Sequence, residues 1–139
     1  MAMQTTMDRA EGRVPITIMG LAGELDASNF QQLIDDVRRL YDDGVRHLLI
    51  DLTDLSFMAS SGLVALHGVL RVMHGEAPPD PEAGWEAFHA IGRAVQDGST
   101  QSEVHLCGAQ PAIAQVLQRT GLDQLFPSHV DRATAIAAF

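Results

Sequence analysis

Apolar positions along this chain change period several times, and each change marks an element. Val14, Ile16 and Ile18 alternate with Pro15 and Thr17, the two-residue period of a strand, and the run continues to Leu21. A weaker strand over residues 3–7 precedes it across the turn-rich residues 8–12, so residues 3–25 are expected to form a β-hairpin. Pro15 has no N–H for a ladder, which assigns it to an edge or a bulge. The period then lengthens. Phe30, Leu33, Ile34, Val37, Leu40 and Tyr41 fall on one helical face. Ser28 with Gln31 reads as a capping box, and Gly44 is placed to end the helix.

Residues 46–52 carry the apolar run Leu48-Leu49-Ile50 and then Leu52, as a central strand covered on both faces should. A short link over 53–58 leads to Ser60-Ser61-Gly62. Leu63, Val64, Leu66, Val69, Leu70 and Met73 follow with helical spacing and an apolar arc broad enough for deep burial. Residues 75–102 break this rhythm, because connections in compact domains run to about 4–6 residues. They hold Pro78, Pro79 and Pro81, then a helix start at Asp80-Pro81-Glu82, with Trp85, Phe88, Gly92 and Val95 on one face and Gly98 as a stop. A helix covering its own domain is the preferred reading of this insertion. A contact with a partner or a second copy, a homodimer, through Trp85 is the alternative.

A strand over 103–107 follows, then a helix from Pro111 to Thr120 closed by Gly121. Leu122, Leu125 and Phe126 pack the next turn, and residues 131–138 have the composition of a short terminal helix. Strands alternating with helices give one α/β domain spanning residues 1–139, a mixed sheet of about four to five strands covered by helices.

Charge narrows the partners. The net charge is −9 and all nine basic residues are arginine, without a basic cluster, which argues against nucleic acid or an anionic membrane. No apolar run approaches the ~20 residues of a membrane span, and the N-terminus has no apolar signal core. The single cysteine, Cys107, makes no internal disulfide and reads as a small buried residue. The expectation is a cytoplasmic protein.

Candidate chemistry gathers at the start of the second helix. Its free N–H groups and partial positive charge leave two readings for Ser60 and Ser61: a plain N-cap, or chemistry that needs an anion stabilised. Catalysis is disfavoured, because a nucleophile elbow needs glycine two residues either side of the serine. Ser60 has Met58 and Gly62, and Ser61 has Ala59 and Leu63. His67 and His74 lack cysteine or carboxylate partners, so no metal site is expected, and no glycine pattern cradles a phosphate cofactor. No cofactor is expected.

Gly23-Glu24-Leu25-Asp26, Asp51-Leu52-Thr53 and Phe57-Met58-Ala59-Ser60-Ser61-Gly62-Leu63 together resemble a STAS domain, as do Leu106-Cys107-Gly108, Val116-Leu117 and Thr120-Gly121-Leu122. That name covers bacterial anti-sigma factor antagonists and cytoplasmic domains of sulfate transporters. The likeness spans nearly the whole chain outside residues 75–102. It implies a binding switch and not an enzyme: an antagonist that binds an anti-sigma factor serine kinase, leaves it when a serine is phosphorylated, and is reset by a phosphatase. The matching serine is Ser60, with Ser61 the second choice, and Asp26, Ala59, Ser61 and Gly62 form the implied partner contact. The antagonists usually carry Asp where this chain has Ala59. That departure keeps open an alternative, a non-switching STAS module serving as a scaffold or transport-complex subunit.

Overall fold

The fold follows from two apolar faces on one sheet. A computed structural model describes residues 3–75 and 104–139, so the helix expected around Trp85 lies outside the described residues. Five strands stand in sequence order: β1 (Gln4–Glu11), β2 (Pro15–Leu25), β3 (Leu48–Met58), β4 (Val104–Cys107) and β5 (Ser128–His129). β1 runs antiparallel to β2, and the other neighbours are parallel. The hairpin is therefore present, but β1 extends four residues beyond Met7 and its turn is confined to residues 12–14. Pro15 sits at the first position of β2, where its missing N–H is harmless.

Helices α1 (Phe30–Asp42), α2 (Ser60–Met73) and α3 (Pro111–Thr120) share a core with one face of the sheet. Met19 and Leu21 of β2 and Leu48, Ile50 and Leu52 of β3 enter it, meeting Leu33 and Val37 of α1, Leu66 and Val69 of α2, and Ile113 and Leu117 of α3. α2 is buried over almost its whole surface, as its broad arc predicts. The alternate residues Ile16, Ile18, Leu49 and Cys107 form a second, smaller cluster with Ala135 of the terminal helix α4 (Arg132–Ala138). The two-residue alternation along β2 and the first half of β3 is what divides one hydrophobic set into two cores.

Several local expectations change. Ser28 does not cap α1: the N-cap is Asn29, and the Ser28 hydroxyl instead donates to Asp26. The link expected over 53–58 is strand, because β3 continues to Met58 paired with β2. β5, only two residues long, carries no readable period. α3 begins at Pro111 and ends at Gly121, whose φ of 78° closes it in the left-handed conformation.

The second face carries a polar brace. Asp51 on β3 accepts hydrogen bonds from the Thr53 amide and hydroxyl on one oxygen and from Arg132 Nε at 2.6 Å on the other. Arg132 Nη1 also reaches Asp8 on β1 at 3.0 Å, so one guanidinium ties α4 to two strands. Beside it, Phe139 stacks on His105 with ring centroids 3.9 Å apart, and His105 stacks on His129.

Candidate functional site

The site lies where the carboxyl ends of β2 and β3 meet the N-terminus of α2. In open parallel sheets this edge is where binding sites form. Leu25 and Met58 are the last paired residues of the two strands, and the Ala59 amide donates to the Leu25 carbonyl at 2.9 Å. The loop that leaves Leu25, residues 26–29, and the start of α2 that follows Ala59 are thereby held side by side.

Asn29 fixes the first loop. It is buried, its Oδ1 accepts from the Asp26 amide at 3.0 Å, and its Nδ2 donates to the Glu24 carbonyl at 2.8 Å. The Asp26 carboxylate then accepts from the Ser28 amide at 2.9 Å and from the Ser28 hydroxyl. These two bonds, the hydroxyl's first, hold the Asp26 carboxyl below the usual carboxylate range. Asp26 is a fixed negative charge at neutral pH. Sequence reasoning took Ser28 for a cap and passed over Asn29. The Asx-turn pattern of Asp26 with Ser28 two residues on was the available signal.

In the second loop the N-cap of α2 is Ala59, with an extended φ of −78° and ψ of 172° and no side-chain cap hydrogen bond. Ser60 and Ser61 are the first two helical residues. This overturns the reading of either serine as an N-cap, whose hydroxyl would bond an amide of the first turn. Ser60 is exposed, Ser61 half-buried and Gly62 buried. Neither serine hydroxyl bonds a described residue, so Ser60 presents a free hydroxyl to solvent over the open amides of the helix end.

Gly62 serves packing. A Cβ there would lie 2.6 Å from Met58 Cγ and 3.1 Å from Leu25 Cγ, so only glycine lets α2 start this close to the strand ends. Its side-chain-free backbone sits beneath the surface that Asp26, Ala59 and Ser60 form. Phe57, one residue before the end of β3, is half exposed at the same corner. His67 of α2 is buried and His74, just past its end, is exposed, and no group of three metal-ligating side chains occurs among the described residues. No described helix is long and apolar enough to cross a membrane.

The architecture is thus a mixed five-stranded α/β sheet on which Ser60, exposed and unbonded, stands at a helix N-terminus beside the Asp26 carboxylate. Residues 9–74, from β1 through α2, match the family model described as STAS domain. A Bordetella bronchiseptica protein named as a candidate anti-sigma factor antagonist, BtrV, is 28% identical over 137 residues, covering 99% of this chain and 95% of its own length. The crystal structure of an anti-sigma factor antagonist from Mycobacterium paratuberculosis shares the fold with a TM-score of 0.69 at 19% identity, covering 99% of this chain and 93% of that one. The Bacillus cell fate determinant SpoIIAA in its phosphorylated form shares it with a TM-score of 0.59 at 18% identity, covering 97% and 98%.

Proposed function

We propose that this chain is a partner-switching regulator, an anti-sigma factor antagonist that binds an anti-sigma factor serine kinase and is released by phosphorylation of Ser60. The observation that carries this reading is the Ser60 hydroxyl: exposed, unbonded, and on the first residue of α2. A kinase can reach it without unfolding anything. The phosphate would bring about −1.5 to −2 charges. The open amides and dipole of the helix end favour an anion, so the domain accommodates the group with its fold intact. A partner packed over the same corner would have to bury a hydrated dianion of several atoms beside the charged Asp26, and it would leave. Solved relatives include one titled as a phosphorylated form, which supports the same chemistry on this fold. The proposed role is binding and not catalysis, since Ser60, with Met58 two residues before it, does not sit in a nucleophile elbow. A cytoplasmic location and a resetting phosphatase complete the reading.

The test is incubation of the chain with each anti-sigma factor serine kinase of its source organism and ATP, followed by intact mass measurement. One phosphate on wild type and none on Ser60→Ala is expected. No phosphate on wild type, or equal incorporation in Ser60→Ala with Ser61 modified instead, overturns the assignment.

One observation favours a second reading, a STAS module without a switch that acts as a scaffold or transport-complex subunit. Ala59 caps α2 with no polar side chain, where the antagonists usually have Asp. In that case a partner binds wild type and Ser60→Asp equally. A large loss in the Asp variant decides for the switch.

A further inference from the structure

β3 carries one extra residue against β2 in each of two intervals, since Gly20 and Ala22 pair with Asp51 and Asp54, and Gly23 and Glu24 pair with Leu55 and Phe57. Such bulges bend a strand and re-aim its side chains. The consequence is a departure from alternation: Leu52, Leu55 and Met58 are buried, while Asp54, Ser56 and Phe57 face outward. The Ser56 hydroxyl donates to the Gly23 carbonyl at 2.9 Å, which holds the second bulge in place. β4 pairs with β3 only from Leu48 to Asp51, so among the described residues no strand pairs with the segment carrying Phe57 on its other side.

Among the described residues only Met7, Phe57 and Val130 are large apolar side chains left exposed, and Phe57 alone stands at the candidate site, three residues before Ser60. Its ring is 50% exposed on a backbone fixed by pairing with Glu24, which makes it rigid as well as accessible. Segments 14–37 and 47–70, which build this corner, contain no Arg or Lys, while Asp26 and Asp54 carry carboxylates there.

We propose that Phe57 is the anchor of the docking surface, taken up by a protein partner that presents an apolar pocket rimmed by Arg or Lys. The proposal rests on the partner-switching reading above and specifies which residue holds the partner. Rigid aromatic side chains at the centre of an interface carry a large share of its binding energy. A guanidinium at the pocket rim would find both a ring face and carboxylates within the same corner. The division of labour follows: Phe57 and the acidic rim supply attachment, and Ser60 supplies release, because a phosphate at Ser60 separates the two surfaces before the ring can seat.

The experiment is calorimetric titration of the purified kinase identified by the phosphorylation assay with wild type and Phe57→Ala, with thermal melts of each. Phe57→Ala is expected to weaken binding about tenfold or more while keeping the wild-type melting temperature. Wild-type affinity should fall at least about threefold between about 50 and about 300 mM NaCl. Unchanged affinity in Phe57→Ala overturns the anchor and leaves the switch standing. Affinity insensitive to salt overturns the cationic rim. Absence of any binding by wild type overturns the partner-switching reading and the anchor with it.

Discussion

The Leu25 carbonyl accepts a hydrogen bond from the Ala59 amide at 2.9 Å, and this single backbone bond joins the two loops of the site. Asp26 and Ser60 are each the next residue along. Their proximity is set by strand pairing and one main-chain bond, so side-chain changes at the surface leave the corner assembled.

Ala59 offers the clearest change. Its extended backbone is the conformation an N-cap requires, yet its methyl group bonds nothing. Ala59→Asp would place a carboxylate oxygen over the Ser61 amide and a negative charge on the helix dipole. The expected gain is about 1 kcal/mol, read as a raised urea midpoint with an unchanged slope. A midpoint at or below that of wild type would show that the cap does not form.

Gly62 should resist substitution for the reason that defines it. The Cβ of Gly62→Ala would stand 2.6 Å from Met58 Cγ, well inside contact, with Leu25 close behind. Both neighbours are buried core residues at the strand ends, so relief requires the helix start to move. A loss of about 1–3 kcal/mol in urea unfolding is expected. Phosphorylation of Ser60 should slow as well, because its helix end shifts. Wild-type stability in this variant would mean that Met58 has room to turn aside.

Much of this was legible in the sequence, and the parts that were not have identifiable causes. The periods of residues 30–41 and 63–73 marked α1 and α2 because each buries a continuous face. Pro111 and Gly121 marked α3 because each has a conformational reason to stand where it does. The far half of β3 escaped, since its two bulges give Leu52, Leu55 and Met58 a spacing of three that matches neither strand nor helix. β5 was too short to show any period. At the site, the apolar helical run marked Ser60 and Ser61 together, and the resemblance to a STAS domain singled out Ser60. Asn29 and Phe57 were not singled out, because burial of a polar group and exposure of an aromatic one are properties of the fold. The Ser28 capping box was matched by a better local bond, from its hydroxyl to Asp26.

Cys107 should be inert in the native protein. It is almost fully buried in β4, and burial, followed by the nearby Asp51 charge, pushes its thiol up to about 12. The thiolate is the reactive form, so at pH 8 it is both scarce and shielded. Iodoacetamide is expected to leave the folded chain unmodified and to label Cys107 once in denaturing urea, counted by intact mass. Rapid labelling of the folded protein would show that the second face opens readily.

The same face makes an acid-sensitivity prediction. Burial raises the Asp51 carboxyl, but the hydrogen bonds from Thr53 and Arg132 outweigh it and hold the carboxyl below its ordinary value. A carboxyl depressed in the folded state contributes stability above its unfolded pKa of about 3.9, and that contribution is lost as pH falls through the folded value. The stability gap between wild type and Asp51→Asn should therefore be constant near neutrality and close below about pH 4. Arg132→Ala tests the other partner. The Asp51 side chain is 11% exposed, so losing Arg132 strands a nearly buried charge. Arg132 itself is 40% exposed and partly screened, which puts the expected cost in the lower part of about 1–3 kcal/mol. Because Arg132 also reaches Asp8, its loss frees α4 from β1 and β3 together, and limited proteolysis should cut first at residues 127–132. Cleavage elsewhere, or a stability gap that widens in acid, would show that the brace does not hold the terminal helix.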